Sequence, residues 1–319
     1  MNSEPQFSIV VPTWNRRETL EVVLPSLLAL DFAAHRYEIL LCDSGSTDGT
    51  TELVEQLRAS LEMPERLRLV TGPNRGRAGA RNMGIREARG RVVLFTDADI
   101  IADRRLLAEH ALTQVDGPCA VVGREVQVDT LAEYEAVRAQ PAEGRTLHRD
   151  SRKTLPWLYF LTGNASVPRQ ALLDVGGFDE SFTGYGHEDL ELGYRLERHG
   201  LSIRYNPRAV NYHWHPVSFE EKCQKMAMAG FSTVRFYQKH RDARIKLLLG
   251  WNPASLTVHR MMSVNRGMLA ALERKREQSK LCSELVLQYH YLTGLRDGME
   301  KLGDLPVPRT DETAGAPRR

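Results

Sequence analysis

The first hundred residues alternate between short apolar runs and segments of helical period, a pattern that few folds accept. Phe7-Ser-Ile-Val-Val-Pro12 reads as a buried strand. Arg17 to Leu30 reads as a helix, with Leu20, Val23, Leu24, Leu27 and Leu28 on one face. Pro25 lies inside it, where a kink or an early break is expected. Tyr37 to Cys42 is the next strand, Thr51 to Leu61 a helix, Leu67 to Thr71 a strand and Ala80 to Ala88 a helix. Val92-Val-Leu-Phe then starts a fourth strand running toward Asp97. This spacing predicts an α/β domain, Rossmann-like, with a mainly parallel sheet flanked by helices. In such sheets ligands bind beyond the carboxyl ends of the strands. The Pro12-Thr13 loop, Asp43, Asp97 and Asp99 all fall at such ends.

Asp97 and Asp99 are two apart, so in extended geometry both carboxylates share a face. Like charges held close raise each other's pKa unless a cation lies between them. A divalent metal with oxygen ligands, Mg²⁺ or Mn²⁺, is the simplest such cation, and it typically clamps a phosphorylated substrate. A polar turn with one Asp capping the next helix would read the same way from two residues alone. Gly72-Pro-Asn-Arg-Gly-Arg-Ala-Gly79 is glycine-rich, but its spacing fits neither G-x-G-x-x-G nor G-x-x-x-x-G-K-[ST]. Asn74, Arg75, Arg81 and Asn82 remain as donors near an expected helix N-terminus, where anions are favoured. A loop with exposed arginines is the alternative.

Composition narrows the class. A net charge of +2 gives no support for nucleic-acid binding. Cys42, Cys119, Cys223 and Cys282 are far apart and read as reduced, structural thiols. The opening Met-Asn-Ser-Glu-Pro-Gln does not read as a basic then apolar leader, so no secretory signal is expected, and no run reaches the ~18–20 apolar residues of a membrane span. The expected location is cytoplasmic, with peripheral contact at the inner face of a membrane left open.

Four stretches, in order, carry a family resemblance: Phe7-Ser-Ile-Val-Val-Pro-Thr-Trp-Asn-Arg16, Leu41-Cys-Asp-Ser-Gly-Ser-Thr-Asp-Gly-Thr50, Asn74-Arg-Gly-Arg-Ala-Gly-Ala-Arg-Asn82 and Phe95-Thr-Asp-Ala-Asp99. Together they resemble the family 2 glycosyltransferases of the GT-A fold. The resemblance implies a nucleotide-sugar donor, UDP-linked by preference. It implies that Pro12, Thr13, Asn15, Arg16, Asp43, Asn74, Arg81, Asp97 and Ala98 line the donor site, with Asp99 as a metal ligand.

In the second half, Ala120 to Val128 reads as a strand, Thr130 to Gln140 as a helix, and Pro141 to Lys153 as a polar loop, either mobile over the donor or merely solvated. Gly184-Tyr-Gly-His-Glu-Asp189 opens a helix running to about His199. Acidic residues there suit the helix dipole. The stretch also resembles the Gly-x-Gly-x-Glu-Asp motif of GT-A enzymes, including galactosyltransferases. That resemblance makes Asp189 the base of an inverting transfer, with Glu188 supporting the acceptor side. Tyr185 in place of the frequent Trp, and His187 before the Glu, leave the acceptor open: a glycan, a lipid-linked or a small molecule. Leu201 to Tyr205 is a strand candidate, followed by Val210 to Pro216. His213 and His215 would share a strand face, and the resemblance makes His213 the preferred further metal ligand and His215 the runner-up. Histidine suits Mn²⁺ better than Mg²⁺.

From Ser218 on, the pattern is helical and basic. The expected organisation is a GT-A domain over 1–217, with a donor half 1–115 and an acceptor and metal half 116–217. A helical region over 218–303 and a disordered tail over 304–319 follow. The expected activity is metal-dependent, inverting sugar transfer to an acceptor hydroxyl. A nucleotidyltransferase, and an inactive sugar-nucleotide-binding or scaffold protein, stand as alternatives.

Overall fold

The structure is a computed structural model that describes residues 4–115, 117–139 and 153–303. The expected tail over 304–319 and the polar loop up to residue 152 lie outside the described residues. The chain divides into two compact units. One is Met1–Thr183 with Glu188–Pro216, the other Gly184–His187 with Val217–Arg319.

Among the described residues, the first unit is built on a nine-stranded sheet. Its strands are β1 (Phe7–Thr13), β2 (Tyr37–Asp43), β3 (Leu67–Thr71), β4 (Val92–Phe95), β5 (Ile100–Ala102), β6 (Ala120–Val128), β7 (Thr154–Leu155), β8 (Ala165–Pro168) and β9 (Ile203–Trp214). They lie in the order β3-β2-β1-β4-β8-β6-β9-β5, with β7 beside β9. β3, β2, β1 and β4 are mutually parallel, as the alternating pattern requires. Beyond β4 the sheet is mixed. β8 runs antiparallel to β4 and β6, β6 and β9 are parallel, and β5 is antiparallel to β9. β1, β2 and β4 are buried along their whole length, which is why they read as continuous apolar runs rather than alternating ones.

The helices of this unit are α1 (Arg17–Leu28), α2 (Thr50–Ala59), α3 (Gly76–Glu87), α4 (Leu106–Thr113), α5 (Leu131–Arg138), α6 (Arg169–Asp174) and α7 (Glu188–Arg198). α1 continues through Pro25 without the expected break. Pro25 falls in the last turn, and the Ala29 amide still donates to its carbonyl. Only the bond that a residue 25 amide would make is lost. α3 starts four residues earlier than expected, so Arg81 and Asn82 are interior helix positions rather than N-terminal ones. Its small residues allow this. A Cβ on Gly84 would lie 2.4 Å from Val10 Cγ1 and 2.9 Å from Cys42 Sγ, so α3 rests directly on β1 and β2. The two expected strand pieces at 201–205 and 210–216 are one strand, β9, with a register irregularity where Gly123 and Arg124 face Asn206 and Val210.

The second unit is helical: α8 (Phe219–His240), α9 (Ala243–Leu248), α10 (Pro253–Val264), α11 (Arg266–Lys275) and α12 (Lys280–Leu302). α8 and α12 pack at backbone distance. A Cβ on Gly294 would fall 1.8 Å from the Ala227 carbonyl oxygen, and one on Gly230 would fall 1.9 Å from that of Tyr291. Ala229, Val234, Tyr291, Leu292 and Leu295 form the core there. His187, at a φ of 73°, is anchored in this unit by a 2.8 Å hydrogen bond between Nε2 and Thr233 Oγ1.

Candidate active site

Parallel pairing puts Thr13 opposite Asp43 at the carboxyl ends of β1 and β2. Pro12 and Thr13 are buried, and Thr13 Oγ1 has no hydrogen-bond partner among the described residues. The Asp43 carboxylate accepts from the Ser46 amide at 3.1 Å and from Ser46 Oγ at 2.5 Å, which shapes the β2–α2 loop. Asn15 joins the two loops. Its amide donates to Ser46 Oγ, and its Oδ1 accepts from the Thr47 amide, both at 2.8 Å. The left-handed φ of 51° at Asn15 suits a residue type that tolerates it. Asn74 does a similar local job, with Oδ1 accepting from the Gly76 amide at 3.0 Å where α3 begins. Asn15 and Asn74 are thus engaged in holding loops.

The chain between β4 and β5 is a turn, closed by the Ile100 amide donating to the Asp97 carbonyl at 3.1 Å. The expected extended geometry of Asp97-Ala98-Asp99 is therefore corrected. Ala98 is buried and the two carboxylates engage different partners. Asp97 Oδ1 accepts from Arg81 Nη2 at 2.7 Å. The other arm of that guanidinium, Nη1, donates to Glu188 Oε1 at 3.2 Å. Arg81 is only 2% exposed, so it is a buried cation between two acids, one from the β4–β5 turn and one from the first turn of α7. Burial alone would lower its pKa, but Asp97, Glu188 and Asp189 outweigh that and hold it charged. Arg77 Nε, one turn earlier on α3, lies 3.7 Å from the same Glu188 oxygen. Glu188 Oε2 is buried with no hydrogen-bond partner among the described residues.

Asp189 follows Glu188 and caps its own turn, accepting from the Leu190 amide at 2.9 Å. The first turn of a helix favours an ionised carboxylate. Desolvation acts the other way, joined by the charge of Glu188, and together they raise the Asp189 pKa in spite of Arg81. A carboxyl so placed is a stronger base once ionised than an exposed aspartate.

Asp99 is brought to β9 by the three-residue strand β5. Ile100 pairs with His213, and the Trp214 amide donates to the Asp99 carbonyl at 2.8 Å. His213 Nε2 is 3.6 Å from Asp99 Oδ1. On the other side, β6 places Gln127 in register with His213. The Gln127 amide nitrogen donates to the His215 carbonyl at 3.0 Å, which turns its oxygen toward His213 Nδ1, also at 3.0 Å. An amide oxygen only accepts, so the neutral imidazole carries its proton on Nδ1. Its Nε2 lone pair then faces the Asp99 carboxylate. Two acceptors face to face call for a cation between them. A proton on His213 meets that need in part. The Asp99 contact raises the His213 pKa against desolvation, and for Asp99 the partners His213, Arg16 and His215 together overcome burial to lower its pKa. A divalent ion meets it equally, with the second imidazole nitrogen held by an outer partner in the way metal-binding histidines are. The residues present therefore fit a divalent cation, although no set of three His, Cys, Asp or Glu side chains among the described residues would hold one alone. A substrate oxygen would have to complete the set. His215 lies one residue past β9, its ring 6.3 Å from that of His213.

Glu125 and Gln127 were absent from the sequence expectations. Glu125 Oε1 lies 3.7 Å from His213 Nδ1. Their signal was present: two polar residues two apart, on one face of a strand that begins Ala-Val-Val. What they face is a matter of the β6–β9 register, which no local pattern gives.

The molecule is similar to known proteins along most of its length. A family model described as glycosyl transferase family 2 matches residues 8–176, and one described as the N-terminal domain of galactosyltransferase matches residues 146–216. A validoxylamine A glucosyltransferase of Streptomyces hygroscopicus is 34% identical over 230 residues, covering 62% of this chain and 53% of that protein. The chondroitin synthase of Escherichia coli is 26% identical over 73% of this chain and 38% of its own. The chain spans about half the length of the first of these relatives. Among solved structures, the mannosyltransferase PcManGT from Pyrobaculum calidifontis, in complex with GDP-Man and Mn²⁺, matches with a TM-score of 0.67 at 22% identity, over 94% of this chain and 88% of that one. S. aureus TarS 1-349 in complex with UDP matches with a TM-score of 0.53 at 19% identity, over 92% and 91%. At these identities the structures show a shared fold, that of GT-A glycosyltransferases. With the first family model covering more than half of the sequence, from the first strand to the end of α6, this chain belongs to glycosyl transferase family 2.

Proposed function

We propose that the protein transfers a sugar from a nucleoside-diphosphate donor, a UDP-sugar by preference, to an acceptor hydroxyl with inversion at the anomeric carbon. The observation that carries this reading is the buried Arg81 joining Asp97 to Glu188. It fixes the acid of the proposed donor side and the helix that bears the proposed base in one rigid arrangement. Pro12, Thr13, Asp43 and Asp97 sit at carboxyl strand ends or just beyond them, where a nucleotide is received in folds of this kind. The unpartnered Thr13 hydroxyl is a ready donor or acceptor for it. Asp99 with His213, or His215 in its place, would hold Mn²⁺ or Mg²⁺. Such an ion, when bound, neutralises charge on a leaving diphosphate.

Asp189 takes the proton of the acceptor hydroxyl. The oxygen attacks the anomeric carbon as the bond to the diphosphate breaks, and the leaving group departs with the electron pair. Buried Arg81 contributes fixed positive potential without reorganising during the step. PcManGT with its GDP-Man and Mn²⁺, and TarS with its UDP, support a nucleotide donor and a metal by analogy of fold.

The test is nucleoside diphosphate release from a panel of UDP-, GDP- and dTDP-sugars, with Mn²⁺ and with EDTA. Release that needs metal and vanishes in Asp99→Ala supports the reading and names the donor. No release from any donor, with no stabilisation by UDP, sinks it and favours a binding role.

A further inference from the structure

α10 carries apolar side chains on its outer face as well as its inner one, where Leu256 packs on the core. Its polar His259 points inward, bonded to Thr293 Oγ1 at 2.9 Å and stacked on Tyr289, with Met262 buried beside it. Val258, Met261 and Val264, spaced three apart on one stripe, point outward and are 48%, 61% and 81% exposed. Leu247 at the end of α9 is exposed as well. Exposed apolar side chains aligned on one stripe mark a candidate contact surface.

Charge identifies the occupant. Residues 243–280 hold eight Lys and Arg against two Asp and Glu, a net +6 in a chain whose total is +2. The rest of the chain is therefore net negative, and the positive charge is gathered on the segment that exposes the apolar stripe. Arg260 and, on or beyond α11, Arg274, Lys275 and Lys280 are exposed. An exposed apolar stripe on one helix within a strongly basic helical segment is the pattern of an element that lies in the headgroup region of a bilayer. Among the described residues no helix is long and apolar enough to cross a membrane.

We propose that the α9–α11 face is a peripheral contact for a bilayer surface rich in anionic headgroups. The apolar stripe enters the acyl boundary while the basic residues meet lipid phosphates. The proposal stands or falls independently of the donor chemistry.

The test is cosedimentation of the full chain with vesicles of phosphatidylcholine alone and of phosphatidylcholine doped with phosphatidylglycerol. Binding is expected on the anionic vesicles only, weakening as salt is raised. Val258→Ser with Met261→Ser and Val264→Ser should weaken it at least tenfold, with circular dichroism and the thermal transition unchanged. Arg274→Gln with Lys275→Gln and Lys280→Gln should weaken it on the order of fivefold per charge removed. No binding to anionic vesicles, or binding that neither variant alters, overturns the proposal. So does a dimer in light scattering that the serine variant dissolves, because the face would then belong to a second copy of the chain.

Discussion

Arg81 and Glu188 are 107 residues apart and meet at 3.2 Å in a buried ion pair. The contact ties α3 to the first turn of α7, and the same guanidinium holds Asp97 at 2.7 Å. Removing the cation leaves two acids facing each other. Breaking a buried pair from one side costs about 3–5 kcal/mol. Arg81→Ala should therefore lower the thermal transition sharply. Arg81→Lys keeps the charge but not the two-armed fork, so it should fold and lose donor turnover. A lysine variant with full turnover would show that geometry at this position does not matter.

Gln127 aims His213. Its oxygen accepts a hydrogen bond from Nδ1–H and leaves Nε2 facing Asp99. Gln127→Leu should weaken Mn²⁺ affinity by about 10–100-fold, the usual effect of losing an outer partner of a ligand. Calorimetric titration of Mn²⁺ in the presence of UDP reads this directly. Unchanged affinity would take His213 out of the metal site.

Desolvation and Glu188 raise the Asp189 pKa, which fixes two signs. As a base it works only when ionised. kcat/KM should rise with pH through a midpoint well above the ordinary aspartate value of about 4. A midpoint near the ordinary value would count against Asp189 as the base.

The same shift has a consequence for stability. A carboxyl whose pKa is higher folded than unfolded binds more protons in the native state. Its contribution is favourable below the unfolded pKa and is lost as pH rises toward the folded one. Asp189→Asn removes the penalty of an ionised, desolvated group. At neutral pH the variant should melt higher than the parent while losing on the order of 10²–10⁴ in turnover. A lower melting point would mean that the carboxylate is stabilising where it sits.

Gly84 lets α3 rest on β1. An alanine there gains about 1 kcal/mol of helix propensity but overpacks against Val10 and Cys42, which typically costs about 1–3 kcal/mol. Gly84→Ala should thus lower the thermal transition. Gly267→Ala on α11, where the new Cβ meets only Asn265 Oδ1 at 3.5 Å, should not.

The sequence by itself determined the parallel half of the sheet. Buried parallel strands leave continuous apolar runs, and Phe7-Ser-Ile-Val-Val, Tyr37-Glu-Ile-Leu-Leu and Val92-Val-Leu-Phe carry them with helices between. It also determined which polar residues stand at the strand ends, because chain order and alternation fix that locally. Helix ends were legible where a stop signal is strong, as at Gly200, whose φ is 90°. The start of α3 was not, because Gly76 and Gly79 read locally as loop, whereas the helix spans Gly76–Glu87.

Tertiary structure alone decided who meets whom. Asp97 and Asp99, two apart in the chain, part company because the turn after β4 sends one to Arg81 and the other to His213. Glu125 and Gln127 acquire their place from the β6–β9 register, and Glu188 its partner from the packing of α7 toward α3. These contacts join residues from 16 apart, as Arg81 and Asp97 are, to more than a hundred apart, as Arg81 and Glu188 are. Their geometry depends on strand order and helix docking, which short-range periodicity does not encode.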